Sequence, residues 1–204
     1  HFKPMVIGTF IMVATYSLFY IMTAFAQAYS RTPATLSEAG YPMGLGIPAN
    51  TFTGLLLMSA IVFAICISIS GLYADKIGRR KWLIWTTVSI LIFALCMPLF
   101  LGNGTPTSVF AFLVIGMALM GMTFGPMAAL LPELFPTEVR YSGASLAYNI
   151  ASIIGATIAA MISLKINALY GLMGVGIYLA INAFLTLLAL LASKETKNVD
   201  LTQI

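Results

Sequence analysis

Six long apolar stretches, separated by short polar connections, constrain the fold of this chain more than any other feature. A transmembrane helix needs about 20 mostly apolar residues, and each stretch has roughly that length. The stretches cover residues 4–28, 51–74, 82–101, 107–131, 144–166 and 173–192. A soluble domain carries roughly 25% charged residues, whereas this chain of 204 residues carries 8%. The sequence therefore predicts an all-α, polytopic membrane protein with six transmembrane helices in a lipid bilayer and a tail at 193–204.

Lysine and arginine are distributed unevenly between the two sides of this six-helix arrangement. One side holds Arg31 and Lys165, and the other side holds eight basic residues. The eight are Lys3, Lys76, Arg79, Arg80, Lys81, Arg140, Lys194 and Lys197. Because the short cytoplasmic loops of membrane proteins are rich in lysine and arginine, this distribution predicts that both termini are cytoplasmic.

The connection between the second and third stretches, residues 71–81, carries a net charge of +3. Its Gly71 would let two helices approach closely, and its Gly78 would permit a tight turn. Asp75 is an isolated carboxylate that could pair with a basic group or lie at the N-terminus of a neighbouring helix. On charge alone, a basic loop that only fixes the topology is the simpler interpretation.

A second charged connection, residues 131–143, joins the fourth and fifth stretches on the same side. Its Glu133 and Glu138 oppose Arg140, which gives a net charge of −1. Opposite net charges on two connections of one side predict a charge network between them. Shortly before this connection, residues 121–125 have the Gly-x-x-x-Gly spacing that is typical of close helix packing.

Together these segments resemble a known family of membrane proteins. Residues 71–81, Gly-x-x-x-Asp-x-x-Gly-Arg-Arg-Lys, resemble the loop signature of the major facilitator superfamily. Residues 131–143 look like the matching loop of its metabolite:proton symporter branch, which includes shikimate, proline/betaine and alpha-ketoglutarate permeases, and more distantly like a sugar-porter loop. Residues 194–197 are similar to part of the sugar-porter tail, although Lys194 and Asn198 replace its proline and glycine.

The resemblance implies both a fold and a function. Members have twelve spans, so this chain would be the C-terminal six-helix half, with an N-terminal six-helix half as its partner. Such a protein would be a secondary active transporter of the bacterial cytoplasmic (inner) membrane, moving a small organic acid or zwitterion with protons by alternating access. The resemblance also places Asp75 against the start of the fifth span, near Arg140, where it closes the cytoplasmic side. The residues implied in this gate are Gly71, Asp75, Gly78, Arg79, Arg80, Glu133 and Arg140.

Polar side chains within the apolar stretches are the candidates for contact with a substrate, because such transporters bind near the bilayer midplane. The resemblance turns the first, fourth and fifth spans toward a central cavity, whereas it turns the last span, with Asn182, toward lipid. An alternative is that these side chains help helices pack or lie at a membrane interface. The candidates of the first span share one helical face, and they are Tyr16, Tyr20, Thr23 and Gln27. Those of the fifth span are Asn149, which shares a face with Ser145 and Ser152, and the adjacent Tyr148.

No carboxylate or histidine lies near the centre of any apolar stretch. Because a proton relay within a bilayer needs an ionisable side chain at depth, the proton-carrying carboxylate of a symporter would belong to the other half. Two alternatives are a sugar-porter-like transporter of the same superfamily and a six-span channel or scaffold protein. A channel would carry a re-entrant filter, rings of like charge or an arginine-rich voltage sensor, and the sequence shows none of them.

The sequence does not predict an enzyme, a metal site or a cofactor. Its only histidine is His1, and Cys66 and Cys96 lie singly in separate apolar stretches, where a packing role is the simpler interpretation. The chain begins with histidine, as expected for a fragment of a longer protein. Because one half of a transporter would expose the face that meets its partner, we expect the isolated chain to dimerise or to be unstable.

Overall fold

The computed structural model of the protein describes residues 2–193, without the side chains of Thr157 and Ala160. Within that range the chain is mostly helical, and extended residues pair at a single isolated bridge between Leu36 and Pro42. The all-α fold class predicted from the sequence is therefore confirmed. The motif at 194–197 and the rest of the predicted tail after Ser193 lie outside the described residues.

Six helices, named α1 to α6, follow the order of the six apolar stretches in the described part of the chain. Two of the helices contain a π-helical turn, one in α1 at Ile21–Phe25 and one in α5 at Ile153–Thr157. α3 is interrupted at Cys96, and α5 and α6 form one continuous stretch that is divided at Gly171. The bounds are Phe2–Arg31 for α1, Ala49–Ile77 for α2, Arg79–Leu95 followed by Met97–Leu101 for α3, Pro106–Glu133 for α4, residues 140–170 for α5 and residues 172–192 for α6.

The helices are long enough and apolar enough for a membrane protein. α1, α2, α4 and the joined stretch Arg140–Ala192 each qualify by length and composition as candidates to cross a bilayer. The two segments of α3 together reach about 34 Å at 1.5 Å per residue, comparable with a hydrocarbon core of about 30 Å. On α2, Leu57, Ile61, Ile65 and Ile69 are exposed at helical spacing, as on a helix face that contacts lipid.

Two glycines with positive φ separate consecutive helices. Gly78, with φ of 114°, is the single residue between α2 and α3, so the tight turn predicted at this position is confirmed. Gly171, with φ of 68°, divides α5 from α6, and a Cβ atom there would lie 2.6 Å from Cδ1 of Tyr41. Because residues with a Cβ atom rarely adopt positive φ, both sites favour glycine.

α1 lies at the centre of the bundle and packs against α4, α5 and α6. Its residues 11–18 are all buried, which fits a helix that is apolar on every side. Toward one end of the helix, Met12 belongs to a buried cluster with Leu131 and Phe135. Toward the other end, Phe25 stacks on Tyr29 with ring centroids 5.6 Å apart.

α2 and α4 pack closely through the glycines of the predicted Gly-x-x-x-Gly segment. A Cβ atom on Gly121 would lie 2.6 Å from the carbonyl oxygen of Phe63, and one on Gly125 would lie 2.6 Å from that of Ile67. The close packing predicted for this segment is confirmed. The prediction that Gly71 itself permits the approach is wrong, because a Cβ atom on Gly71 would meet nothing within 4 Å. Its backbone nitrogen instead lies beside Gly125, so the small residue that the contact requires is on α4.

Candidate functional site

Arg79 joins the two charged connections at one end of the bundle, which we call the charged end and define by residues 71–81 and 131–143. Arg79 Nη2 lies 3.0 Å from Asp75 Oδ1, and Arg79 Nη1 donates a hydrogen bond to Glu133 Oε1. The Arg79 and Glu133 side chains are largely buried, at 21% and 13% exposed. The charge network predicted between the two connections therefore exists, and it links α2, α3 and α4.

The environment of Arg79 keeps its guanidinium group charged. Burial by itself lowers the pKa of this side chain, but hydrogen bonds and charge interactions with Glu133, and then with Asp75, raise it. The balance places the pKa of Arg79 above its ordinary value. The positive charge at this position is therefore permanent at any physiological pH.

Asp75 has a different partner from the one that the family resemblance implied. Its carboxylate pairs with Arg79, one turn further along the chain, and its side chain is 63% exposed. The contact that spans the two connections is made by Arg79 and Glu133, not by Asp75 with the start of α5. At the start of α5, the Nε atom of Arg140 donates a hydrogen bond of 3.4 Å to the carbonyl oxygen of Phe135.

Arg80 holds the end of α6. Its Nε atom donates to the carbonyl oxygen of Leu190 at 2.8 Å, and its Nη2 atom donates to that of Leu191 at 2.9 Å. The last carbonyl groups of a helix lack partners within the helix and carry partial negative charge, so a guanidinium group stabilises them. Beside it, Trp82 Nε1 donates to the carbonyl oxygen of Met122 at 2.9 Å and fixes α3 against α4.

A cavity of about 490 Å³ lies between α1, α4 and α5 on the side of the charged end. Apolar side chains of α1 and α4, including Met12, Phe124 and Met127, form much of its wall. Its polar groups come from α5 and include Arg140 and Tyr148. A volume of this size is within the range of small-molecule sites, which combine apolar walls with a few polar groups.

The structure brings together two of the six candidate substrate residues, Tyr16 and Tyr148. Their rings meet edge to face with centroids 5.3 Å apart. Tyr16 is buried, and Tyr148 is 40% exposed and lines the cavity. Gly155, in the π-helical turn of α5, lets this helix approach α1 closely, because a Cβ atom on Gly155 would lie 2.5 Å from the Cβ atom of Tyr16.

The other four candidates, on α1 and α5, are not among the residues that line this cavity. Tyr20, Thr23 and Gln27 are partly buried, and Thr23 Oγ1 donates to the carbonyl oxygen of Phe19 at 2.7 Å. Asn149 is exposed and donates to the carbonyl oxygen of Ser145 within its own helix at 2.8 Å. The amide of Asn149 thus has a local partner and does not depend on a neighbouring helix.

Polar contacts between α1 and α6 were not predicted from the sequence. Asn182 Nδ2 donates to Ser17 Oγ at 3.0 Å in a buried contact, so the expectation that this part of α6 faces lipid is wrong. One turn later, Thr186 Oγ1 donates to the carbonyl oxygen of Phe10 at 2.7 Å and accepts from the backbone N–H of Ala14 at 3.1 Å. In a regular α-helix the N–H of Ala14 would donate to the carbonyl oxygen of Phe10. The hydroxyl group of Thr186 therefore links two backbone groups of the same turn of α1. The four-residue spacing of Asn182 and Thr186 places both side chains on one face of α6. This spacing was the sequence signal that could have predicted the polar contacts with α1.

Comparison with known proteins identifies the family. The chain matches the family described as "Sugar (and other) transporter" over residues 42–204. The chain belongs to this transporter family. It is 86% identical, over its whole length, to a Haemophilus influenzae protein provisionally named a metabolite transport protein, of which the alignment covers 47%.

More distant members of the transporter family carry more specific names. The Escherichia coli inner membrane metabolite transport protein YhjE is 52% identical over 98% of the chain, which covers 44% of that protein. The proline/betaine transporter of Salmonella typhimurium is 26% identical over 97% of the chain, with 37% of that protein covered. The chain thus spans about half the length, or less, of these relatives. No solved structure matches the chain.

The hydrogen bond between Asn182 and Ser17 is expected to contribute measurably to the stability of this transporter chain. Replacement of Asn182 by leucine removes a donor from Ser17, and hydrogen bonds between transmembrane helices contribute about 0.6 kcal/mol on average and about 1.7 kcal/mol at most. Thermal unfolding in detergent should therefore occur at a lower temperature in Asn182→Leu. The matched control is Asn149→Leu, because that exposed amide bonds within its own helix. Equal unfolding temperatures for the two variants would contradict the prediction.

Proposed function

We propose that this chain forms the C-terminal half of a secondary active transporter that moves a small organic acid or zwitterion across the inner membrane with protons, by alternating access. The observation that carries the proposal is the ion-pair network at the charged end. Arg79 connects α2, α3 and α4 there through Asp75 and Glu133. In this proposal both termini are cytoplasmic, as the uneven distribution of basic residues favours, so the network lies on the cytoplasmic side.

The network would make the charged end a rigid surface against which the other half closes. α2 and α4 are already held together at Gly121 and Gly125, where their backbones approach closely. The Arg79–Glu133 pair adds a charged link between the start of α3 and the end of α4, and Arg79 also pairs with Asp75 at the end of α2, whose carboxylate stays mostly exposed. Asp75 is therefore in a position to meet the N-terminal half when the cytoplasmic side closes.

The substrate class is supported by the cavity beside α1, α4 and α5 and by the names of the relatives. Tyr148 and Arg140 offer hydrogen-bond donors in a largely apolar enclosure, which suits a small molecule with one polar end. Relatives are named for metabolite transport and, more distantly, for proline and betaine transport. We further propose that Tyr16, Tyr20, Thr23, Gln27 and Asn149 meet the substrate or the other half as the cavity changes shape.

Proton coupling would depend on the other half, because the apolar stretches of this chain hold no central carboxylate or histidine. A proton relay at membrane depth requires such a group. In this proposal the present half supplies part of the cavity and the charged end. A sugar-porter-like transporter is the second candidate, favoured by the sugar transporters that the name of the matched family includes.

The test is uptake by membranes that contain this chain together with the N-terminal half of the transporter. A panel of labelled organic acids, zwitterions and hexoses is offered with and without an imposed inward proton gradient. We expect accumulation of an organic acid or zwitterion that a protonophore abolishes, and no such uptake by liposomes that contain this chain alone. Accumulation of hexoses alone would favour the sugar porter, whereas flux without accumulation would favour a channel.

A further inference from the structure

Tyr16 lies midway between Phe2 and Arg31, the two ends of α1. Transporters of this class bind their substrates near the midplane of the bilayer, so Tyr16 has the depth that a contact with substrate requires. Its side chain is 8% exposed, and its ring meets the ring of Tyr148, on the wall of the cavity, edge to face. The rotation of α1 about its own axis therefore decides how Tyr16 is presented to the cavity.

The hydrogen bonding of α1 departs from a regular α-helix on both sides of Tyr16. On the side of the charged end, the hydroxyl group of Thr186 donates to the carbonyl oxygen of Phe10 and accepts from the N–H of Ala14. On the other side, Ile21–Phe25 form a π-helical turn, which has a wider hydrogen-bonding pattern than an α-helical turn. Helices bend where a side chain enters their hydrogen bonding and at π-helical turns. The part of α1 that carries Tyr16 thus lies between two places where the helix can bend or twist.

α6 holds this middle part of α1 through buried hydrogen bonds. Asn182 Nδ2 donates at 3.0 Å to Oγ of Ser17, the residue next to Tyr16, and Thr186 contacts the turn that precedes Tyr16. The side chains of Asn182, Ser17 and Thr186 are all buried. Hydrogen bonds depend on direction, whereas apolar contacts do not. These bonds therefore fix the rotation of α1 as well as its distance from α6.

Apolar packing between α1 and α6 gives less restraint near the charged end. A groove of about 200 Å³ lies between the two helices there, and apolar side chains such as Ile7, Phe10 and Leu185 line it. Interlocking side chains are what resists movement in a protein interior, and an open groove lacks them. The hydrogen bonds of Thr186, the residue after Leu185, are therefore the stronger restraint on the rotation of α1 at this level.

We propose that Thr186 and Asn182 are positioning residues for transport, because their hydrogen bonds set the rotation of α1 and with it the direction in which Tyr16 meets the substrate. The proposal rests on the transport function above and deepens it, because it adds residues that act on the substrate site without lining it. The outer radius of a helix is about 5–6 Å, so a rotation of about 20° displaces the outer atoms by about 2 Å. Hydrogen bonds span only about 2.7–3.2 Å between donor and acceptor, so this displacement is enough to break one.

The test compares two replacements of Thr186 in the whole transporter, with its N-terminal half present. Thr186→Val removes the hydroxyl group with little change in shape, and Thr186→Ser keeps the hydroxyl group. The matched control is Thr86→Val, because Thr86 is also a buried threonine of a membrane helix. Its hydroxyl group donates to the carbonyl oxygen of Trp82 in its own helix at 3.0 Å and so does not link two helices.

The first measurement follows the orientation of α1 without requiring transport. Tyr16→Cys is combined with each Thr variant, and its labelling rate by a small, water-soluble methanethiosulfonate reagent is divided by that of Ala128→Cys, on the α4 wall of the same cavity. The parent protein corrects for labelling of Cys66 and Cys96. We expect Thr186→Val to raise this ratio roughly threefold or more, as for loss of an average hydrogen bond between membrane helices, because the buried position 16 then reaches the cavity more often.

Thr186→Ser and Thr86→Val should leave the labelling ratio within about twofold of the parent, because both preserve the hydroxyl bridge between α6 and α1. An unchanged ratio in Thr186→Val, or an equal rise in Thr186→Ser or Thr86→Val, would overturn the proposal. Since labelling needs no substrate, this result is separate from the test of the transport function. Absence of uptake by the parent would instead contradict the proposed function.

The second measurement separates positioning from stability by the concentration dependence of uptake. The probe is the labelled solute of the panel above that the parent accumulates. A variant that only unfolds more readily lowers the maximal rate, because fewer transporters are folded, and leaves KM unchanged. We expect Thr186→Val to raise KM roughly threefold to tenfold, as for loss of one hydrogen bond to the substrate, and Thr186→Ser to restore the parent value.

A double-mutant cycle asks whether Thr186 acts through Tyr16. Tyr16→Phe removes the hydroxyl group whose direction Thr186 is proposed to set. Thr186→Val should therefore change KM by less than about twofold in the Tyr16→Phe background. An unchanged KM in Thr186→Val, or an equal rise of KM with and without the Tyr16 hydroxyl group, would overturn the assignment.

Discussion

Glu133→Gln is expected to reduce substrate uptake by the whole transporter roughly tenfold. Glu133 is the partner of Arg79 across the charged end, and both side chains are largely buried. Its replacement by a neutral amide leaves the exposed carboxylate of Asp75 as the one charged partner of Arg79 among residues 2–193. Loss of one partner from such a partly buried pair costs about 1–3 kcal/mol, and 1.4 kcal/mol corresponds to a factor of ten in an equilibrium between transporter states.

The measurement is the initial uptake rate, normalised to the amount of transporter in the membrane. Glu138→Gln is the matched control, because it removes a carboxylate from the same connection at an exposed position, and it should retain most of the activity. The charge reversal Arg79→Glu with Glu133→Arg is expected to recover part of the uptake that either single reversal loses. Equal uptake by Glu133→Gln and Glu138→Gln would show that the pair does not contribute to transport.

The membrane fold was predictable because the bilayer imposes its thickness on the sequence. Each helix must supply about 20 apolar residues, so the six helices could be predicted from the six apolar stretches. Most of the observed helices extend a few residues beyond their apolar stretches at the charged end. α2, for example, continues to Ile77 and stops where Gly78 adopts positive φ. The break in α3 at Cys96 has a local signal in Pro98, which lacks a backbone N–H and stands in the first turn of the next helical segment, whereas the π-helical turns at Ile21–Phe25 and Ile153–Thr157 have no comparable local signal.

The orientation of individual helices was harder to predict because several are apolar on every side. Amphipathic periodicity fixes which face of a soluble helix is buried, but α6 offers little contrast between its faces. Asn182 and Thr186 were therefore not recognised as contacts to α1. At the charged end, opposite charges correctly indicated a network between two connections. The particular pairing of Arg79 with Glu133, and of Asp75 with Arg79, depends on helix packing that the sequence does not encode locally.

Gly125→Val is expected to destabilise the chain by about 3 kcal/mol or more. Even a Cβ atom at this position would lie 2.6 Å from the carbonyl oxygen of Ile67 and 3.1 Å from the backbone nitrogen of Gly71. Both atoms belong to the backbone of α2, so no side-chain rotation relieves the overlap, and α2 and α4 must separate. Overpacking typically costs 1–3 kcal/mol and occasionally more, and the helices also lose the close packing that drives association in membranes.

The measurement for Gly125→Val is the temperature of unfolding in detergent, with Gly54→Val as the matched control. Gly54 lies on α2, where a Cβ atom would meet nothing within 4 Å, so valine at this position should have little effect. Equal unfolding temperatures for the two variants would contradict the close contact between α2 and α4. Because Arg79 holds Asp75 at the end of α2 and Glu133 at the end of α4, separating these two helices should also weaken the Arg79–Glu133 pair. Glu133→Gln should therefore cost less stability in the Gly125→Val background than in the parent, which is the non-additivity expected of coupled sites.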